Sequence, residues 1–190
     1  MPAPVVRSVD PSAPNGQARV VVSVGTDHHR FDRLIRWVDD YLSSRDNVEF
    51  VVQRGTSQEA RRVDSEELIP HTELLDLFSS ATAVVCHGGP ATVMDARRSG
   101  RRPIVVPRDP ERDEHVDGHQ LRFARHLEAE GIAIVVTDEA AFFAALDGAI
   151  ADPASVVHAE TVPDVPAGVV KFGATVDALL GVTTPISEPT

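Results

Sequence analysis

His87-Gly88-Gly89 closes an apolar run, and Pro90 opens a segment in which Thr92 and Asp95 stand three residues apart. Those residue types in that order suit anion binding at the start of a helix. Glycines without Cβ let the backbone approach a bulky anion, and the first-turn amides and the helix dipole favour negative charge. Pro90 gives up only a donor that the first turn does not need, and Ala91 follows it. The Thr92 hydroxyl falls within reach of the same anion, and Asp95, about one turn on, shares its helix face. A carboxylate one turn behind a phosphate site is placed to accept hydrogen bonds from a ribose. Each residue also has a plainer reading: the glycines as a tight turn, His87 as a turn residue bonded to backbone, Asp95 as a solvated helix position.

Other polar residues stand at the ends of apolar runs. Gly25-Thr26 ends one and Gln53-Arg54-Gly55 another, while Arg108 to Gln120 follow a third. His28 and His29, just after Gly25-Thr26-Asp27, fit a catalytic base, a substrate contact or a solvated loop, and the residues alone do not choose. Asp113, His115, Asp117 and His119 are of types that ligate zinc or iron. Their alternation would place them on one side of an extended segment, and Asp117 suits a helix N-cap, so no metal site is expected. Cys86 reads as a small buried strand residue with no arrangement to make it a nucleophile.

The elements that must position these residues alternate regularly. "ARVVVSVG" (18–25), "VEFVVQRG" (48–55), "TAVVCHGG" (82–89), "RPIVVP" (102–107) and "IAIVV" (132–136) are short β-branched runs, most of them closed by glycine or proline. They read as buried parallel strands. Between and after them, 29–44, 72–81, 90–100, 117–131 and 138–150 carry apolar residues at helical spacing. "RRVDSEELIP" (61–70) is expected in short extended pieces and loop. Alternation of this kind predicts an α/β domain: a Rossmann-like parallel sheet of about five strands with helices on both faces. Ligands of such sheets bind beyond the carboxyl ends of the strands, where every unusual residue named above falls.

Composition bounds the rest. At 190 residues and net charge −11, the chain is expected to be one soluble domain with no general affinity for nucleic acid or anionic membrane. A lone cysteine fits a reducing cytoplasm, and no apolar run approaches the roughly 20 residues of a membrane span. Residues 1–17 are expected to form a disordered leader and no signal peptide, 18–152 the domain, and 153–190 a linker with a terminal helix near 169–180.

"VVSVGTDHHRFDRLIRWVD", "VVQRG", "HGGPATVMDARRSGRRPIVVP" and "DGHQLRFARHLEAEG" together resemble the C-terminal domain of glycosyltransferase family 28, over about residues 19–136. The resemblance is greatest to its short single-domain forms, similar to the catalytic subunit of the two-part UDP-N-acetylglucosamine transferase of dolichol-linked glycan synthesis and to bacterial exopolysaccharide subunits. That family's pattern, near His-Gly-Gly-Ala-Gly-Thr-x-x-Glu, holds the diphosphate and ribose of a UDP-sugar. His87, Gly88, Gly89 and Thr92 match it, Pro90 and Ala91 replace Ala-Gly, and Asp95 replaces Glu. The resemblance implies that Asp117, His119 and Gln120 meet the donor sugar, and that Gly25, Thr26, Gln53 and Gly55 flank the nucleotide.

It further implies the C-terminal half of a GT-B fold and metal-independent glycosyl transfer, with no cofactor beside the UDP-sugar. His87 would touch the leaving phosphate, and the base would come from the partner or from His28 or His29. The acceptor half is then a separate, membrane-associated subunit bringing a lipid-linked acceptor to a cytoplasmic protein at the inner face of the membrane. The competing readings are a non-catalytic nucleotide-sugar-binding module and a free-standing hydrolase or epimerase of UDP-sugars.

Overall fold

Val20, Val21 and Val22 are all fully buried, which a strand achieves only when both faces of its sheet are covered. They belong to β1 (Ala18–Ser23), one of six strands in the computed structural model, which describes residues 17–158. The others are β2 (Val48–Gln53), β3 (Ser65–Glu66), β4 (Ala83–His87), β5 (Ile104–Val106) and β6 (Ile134–Val135). All pair in parallel, in the order β3-β2-β1-β4-β5-β6. β3 is the strand beyond the expected five, formed where Ser65 and Glu66 pair with Val52 and Gln53.

Five helices cover the sheet: α1 (Asp32–Leu42), α2 (His71–Ser80), α3 (Pro90–Arg98), α4 (His119–Ala129) and α5 (Glu139–Ala151). Val20 and Val22 pack with Leu34, Ile35 and Val38 of α1 and with Phe142 and Leu146 of α5. Alternation turns Val21 to the other face, against Leu74, Leu77 and Phe78 of α2. Cys86 and Val105 meet Val93 of α3 and Ala124 and Leu127 of α4 there.

Chain progression reverses at β1: β2 and β3 run out on one side and β4, β5 and β6 on the other. The crossovers therefore diverge between the carboxyl ends of β1 and β4, and a crevice opens there. Two local details differ from expectation. Gly118, not Asp117, is the N-cap of α4, although the Asp117 carboxylate accepts the His119 N–H at 2.8 Å. The packed body also runs past Asp152: Pro153–Val156 forms a 3-10 turn, Val156 is buried, and Val157 bridges to Arg101. The expected leader up to residue 16 and the terminal helix near 169–180 lie outside the described residues. No helix among the described residues is long and apolar enough to cross a membrane.

Candidate functional site

The crevice is a cleft of about 670 Å³. The β1 terminus contributes Ser23, Gly25, Thr26 and Asp27, the β4 terminus His87 and Gly89, and the opening of α3 Ala91, Thr92 and Asp95. Leu68, Ile69 and Pro70, between β3 and α2, form an apolar wall opposite.

His87 is the pivot of the site. Its side chain is buried, and its Nδ1 has no hydrogen-bond partner. The ring lies between two glycines: a Cβ on Gly25 would stand 2.4 Å from its Cε1, and one on Gly89 2.2 Å from its Nε2. The room left by Gly89 is thus already used by the protein's own imidazole, a reason for the His-Gly-Gly order beyond the approach of an anion. Gly88 is packed against Gln120, where a Cβ would meet that side chain at 3.1 Å. Burial, with the charge of Arg108 behind it, pushes His87 down to about 4, so near neutrality it is an uncharged ring able to donate one hydrogen bond.

Linkage gives that value a sign. The unfolded chain protonates His87 near 6.5 and the folded one near 4, so its contribution to stability is complete above pH 6.5 and lost as pH falls toward 4. Urea titrations at about pH 7 and about pH 4 are expected to differ by on the order of 3 kcal/mol from this group, a component that His87→Gln removes.

The α3 N-terminus faces the same space. Gly89 is its N-cap, no side chain caps it, and its first turn carries no acidic residue. Beyond Pro90, the Ala91 and Thr92 N–H groups have no partner within the helix. Thr92 is half-buried at the cleft, and Asp95 one turn on has its Oδ2 2.9 Å from Nε2 of His71, a residue of α2 that sequence reasoning missed. Arg98 lies 3.6 Å from the same carboxylate.

Several residues expected at the ligand are turned to internal work. Gln53 is buried, donating to Ser23 Oγ at 3.1 Å and accepting from the Ile69 N–H at 3.0 Å. It ties the apolar wall to β1 while its edge lines the cleft. Gly55 packs on Gly25, whose carbonyl oxygen a Cβ would approach at 2.9 Å. Gln120 is buried with Oε1 accepting from the Arg108 N–H at 3.3 Å. His119 is exposed beside Asp117, and neither lines the cleft. Cys86 is fully buried with its thiol pushed up to about 12, as befits a packing residue.

A second groove, of about 480 Å³, lies next to the first, between the start of α1 and the loop 110–114. His28 and His29 open on it, whereas Asp27 faces the first cleft. Asp27 Oδ1 accepts the His29 N–H at 2.8 Å and lies 2.6 Å from His29 Nδ1. His28 Nδ1 is 3.4 Å from the same oxygen, and His115 Nε2 is 3.7 Å from Oδ2. Burial alone would raise the Asp27 carboxyl, but the His29 hydrogen bonds and the Arg108 charge prevail and hold it down at about 2. Among the described residues, the one group of metal-ligating types gathered within 4.8 Å is Asp27, His28 and His29. Asp113, His115, Asp117 and His119 do not gather as such a group.

Beneath these loops lies a buried polar network that sequence reasoning missed. Arg108, fully buried, donates to the carbonyls of Val24 at 2.9 Å, His29 at 2.6 Å and Glu114 at 3.0 Å. Arg33 makes two 2.8 Å bonds to the Glu114 carboxylate and one of 3.0 Å to the Pro107 carbonyl. Together they fix the loops after β1 and β5 to each other and to α1.

The glycosyltransferase family 28 C-terminal domain matches residues 19–155. No curated protein matches. Solved structures do. The calicheamicin glycosyltransferase CalG4 is 17% identical with a TM-score of 0.64, over 94% of this chain and 47% of that one. MurG of Acinetobacter baumannii is 16% identical at 0.52, over 76% and 44%. The spinosyn rhamnosyltransferase SpnG, complexed with thymidine diphosphate, is 20% identical at 0.53, over 86% and 47%. This chain therefore spans less than half the length of each. At such identities the likeness shows the fold: a Rossmann-like parallel sheet, as in GT-B glycosyltransferases.

Proposed function

Because this chain belongs to glycosyltransferase family 28, whose C-terminal domain it carries, we propose that it is the donor-binding half of a UDP-sugar-dependent glycosyltransferase. The observation that carries this reading is the uncapped start of α3 opening, beside a neutral buried imidazole, on a cleft with an apolar opposite wall. A nucleobase suits Leu68, Ile69 and Pro70. The ribose hydroxyls then meet Asp95, which exchanges its exposed bond to His71 for theirs. The diphosphate takes the Ala91 and Thr92 amides and the Thr92 hydroxyl, with the neutral His87 ring as a further contact. The sugar points past Thr26 and Asp27 toward His115, Asp117 and the start of α4.

As the bond from sugar to phosphate breaks, negative charge grows on the diphosphate. Fixed amides and the helix dipole stabilise it in place of a cation, so transfer proceeds without a metal. A hexose or N-acetylhexosamine is the group moved. The solved structures likened to this chain are about twice its length, and the other half of the cleft is assigned in this reading to a partner subunit, as the resemblance to short single-domain forms implies. A membrane-associated partner presenting a lipid-linked acceptor, with this chain recruited from the cytoplasm, completes the reading. It places the chain with the short single-domain subunits of dolichol-linked glycan and exopolysaccharide synthesis.

Titration calorimetry tests the donor site directly. UDP is expected to bind, and Asp95→Ala to weaken it about 10- to 100-fold, the worth of hydrogen bonds to a charged group. No binding at millimolar UDP, or equal affinity in the variant, sinks the assignment.

A further inference from the structure

Asp27 and His29 stand on the divide between two spaces: Asp27 lines the cleft read above as the donor site, and His29 lines the neighbouring groove. We propose that His29 is the proton acceptor of the transfer, oriented by Asp27 and Arg108 toward an acceptor hydroxyl entering through that groove, so that the donor half carries its own catalytic base. The inference rests on the donor reading of the first cleft and goes beyond it. It moves the base, and one wall of the acceptor site, onto this chain.

Three observations carry it. The first is the hydrogen bond between side chains, 2.6 Å from His29 Nδ1 to Asp27 Oδ1. An ionised carboxylate only accepts, so Nδ1 must hold a hydrogen, and in the neutral ring it is Nε2 that carries the lone pair a base needs. The second is the rigid seat of His29. Its N–H is held by Asp27 at 2.8 Å and its carbonyl by Arg108 at 2.6 Å, so both ends of the residue are fixed to different parts of the fold. Arg108 is itself anchored on Val24 and Glu114. The third is contrast with the neighbouring histidine. His28 is 83% exposed and 3.4 Å from the same oxygen, whereas the His29 side chain is 21% exposed and open to the groove.

The charged and titratable groups nearest His29 are Asp27, Arg108, His28 and His115, the last with its ring centroid 5.8 Å away, and the groove it lines also presents Arg30, Asp32, Arg33, Arg36, Arg112, Asp113 and Glu114. Asp27 and Arg108 are positioning residues. The step balances without a further reactant. The acceptor O–H proton passes to His29 Nε2, the acceptor oxygen forms a bond to the anomeric carbon, and the bond from that carbon to the diphosphate oxygen breaks. The electron pair leaves with UDP, and His29 returns its proton to water.

Two measurements test it on the full chain. Long-range proton–nitrogen NMR of the histidine rings is expected to show His29 as the Nδ1–H tautomer with Nε2 unprotonated; the opposite tautomer overturns the proposal. In the complex with its partner subunit, His29→Ala is expected to lower kcat for transfer from the UDP-sugar about 100- to 10,000-fold. UDP affinity should stay within about twofold, and added imidazole should restore part of the rate. Turnover within about threefold of wild type overturns the proposal, as does a loss carried by His28→Ala instead. Failure of wild type to bind UDP sinks the donor reading, whereas UDP binding with undiminished turnover in His29→Ala sinks only the base.

Discussion

Glu114→Ala is expected to lower the unfolding free energy by about 3–5 kcal/mol, the cost of stranding a buried charge. Arg33 and Glu114 are 7% and 6% exposed, and both guanidinium bonds to the carboxylate are 2.8 Å. Glu114 also accepts the Asp109 N–H at 2.9 Å. With the carboxylate gone, Arg33 keeps only the Pro107 carbonyl and the faces of Phe31 and Trp37, at 5.2 and 4.8 Å from their ring centres. None of those neutralises it. At roughly 2–4 °C per kcal/mol for a domain of this size, the melting temperature should fall by about 6–20 °C.

The loss should be nearly independent of salt, because a pair shielded from water is little screened. Replacing both residues by leucine should cost far less than the single change, since no charge is then left buried. Chemical denaturation of the single and double variants decides it. A Glu114→Ala cost below about 1 kcal/mol would show that the pair does not hold the loop.

Gly25→Ala is expected to damage folding and binding together. Gly25 has φ +80, and its Cβ would land 2.4 Å from His87 Cε1. The left-handed backbone costs an alanine about 1–2 kcal/mol, and overpacking costs a further 1–3. The ring has no retreat toward Gly89, where a Cβ would itself stand 2.2 Å from Nε2. His87 must then swing into the space assigned to the diphosphate, and UDP affinity should fall more than about 100-fold by calorimetry. Adding His87→Ala should recover part of the stability, because the new methyl then enters vacated volume. A double variant as unstable as the two single losses added would show that ring and methyl do not compete. The coupling, more than the size of either loss, identifies the packing of His87 between two glycines.

Much of this architecture could be read before any coordinates. The runs at 18–25, 48–55, 82–89, 102–107 and 132–136 each hold an observed strand, because β-branched residues closed by Gly or Pro carry a local signal. The same local chemistry marks α3: proline opens it and a glycine stands just before it, as expected from "GGPATVMDARR". β3 falls within 61–70, expected in short extended pieces and loop, but two residues make no periodic pattern, and only the pairing with Val52 and Gln53 makes it a sixth strand.

The polar residues divide differently. "RDPERDEH" is an acidic, histidine-bearing loop in sequence, yet its Arg108 and Glu114 are among the most buried charges in the described residues. Nothing local reports that, since Arg33 meets Glu114 across 81 positions. Gln53 likewise stands at a strand end as a ligand residue would, but both ends of its amide are claimed by Ser23 and Ile69. His71 gives no sign of Asp95, which lies 24 residues on and one helix away.

What the residues settled by themselves was the order of elements, the parallel sheet, and the edge of it at which polar and glycine residues gather around a cleft. Those depend on alternation, β-branching and the glycine and proline stops, all of which act within a few positions along the chain. What the tertiary structure decided was which polar groups remain free to meet a ligand. His87 became a neutral ring between two glycines, Gln53 and Gln120 became internal ties, and His29 was set apart from His28 by Asp27 and Arg108. Burial and hydrogen-bond partners arise between segments distant in sequence, so they exist only once α1, the β1 terminus and the loop after β5 have packed together.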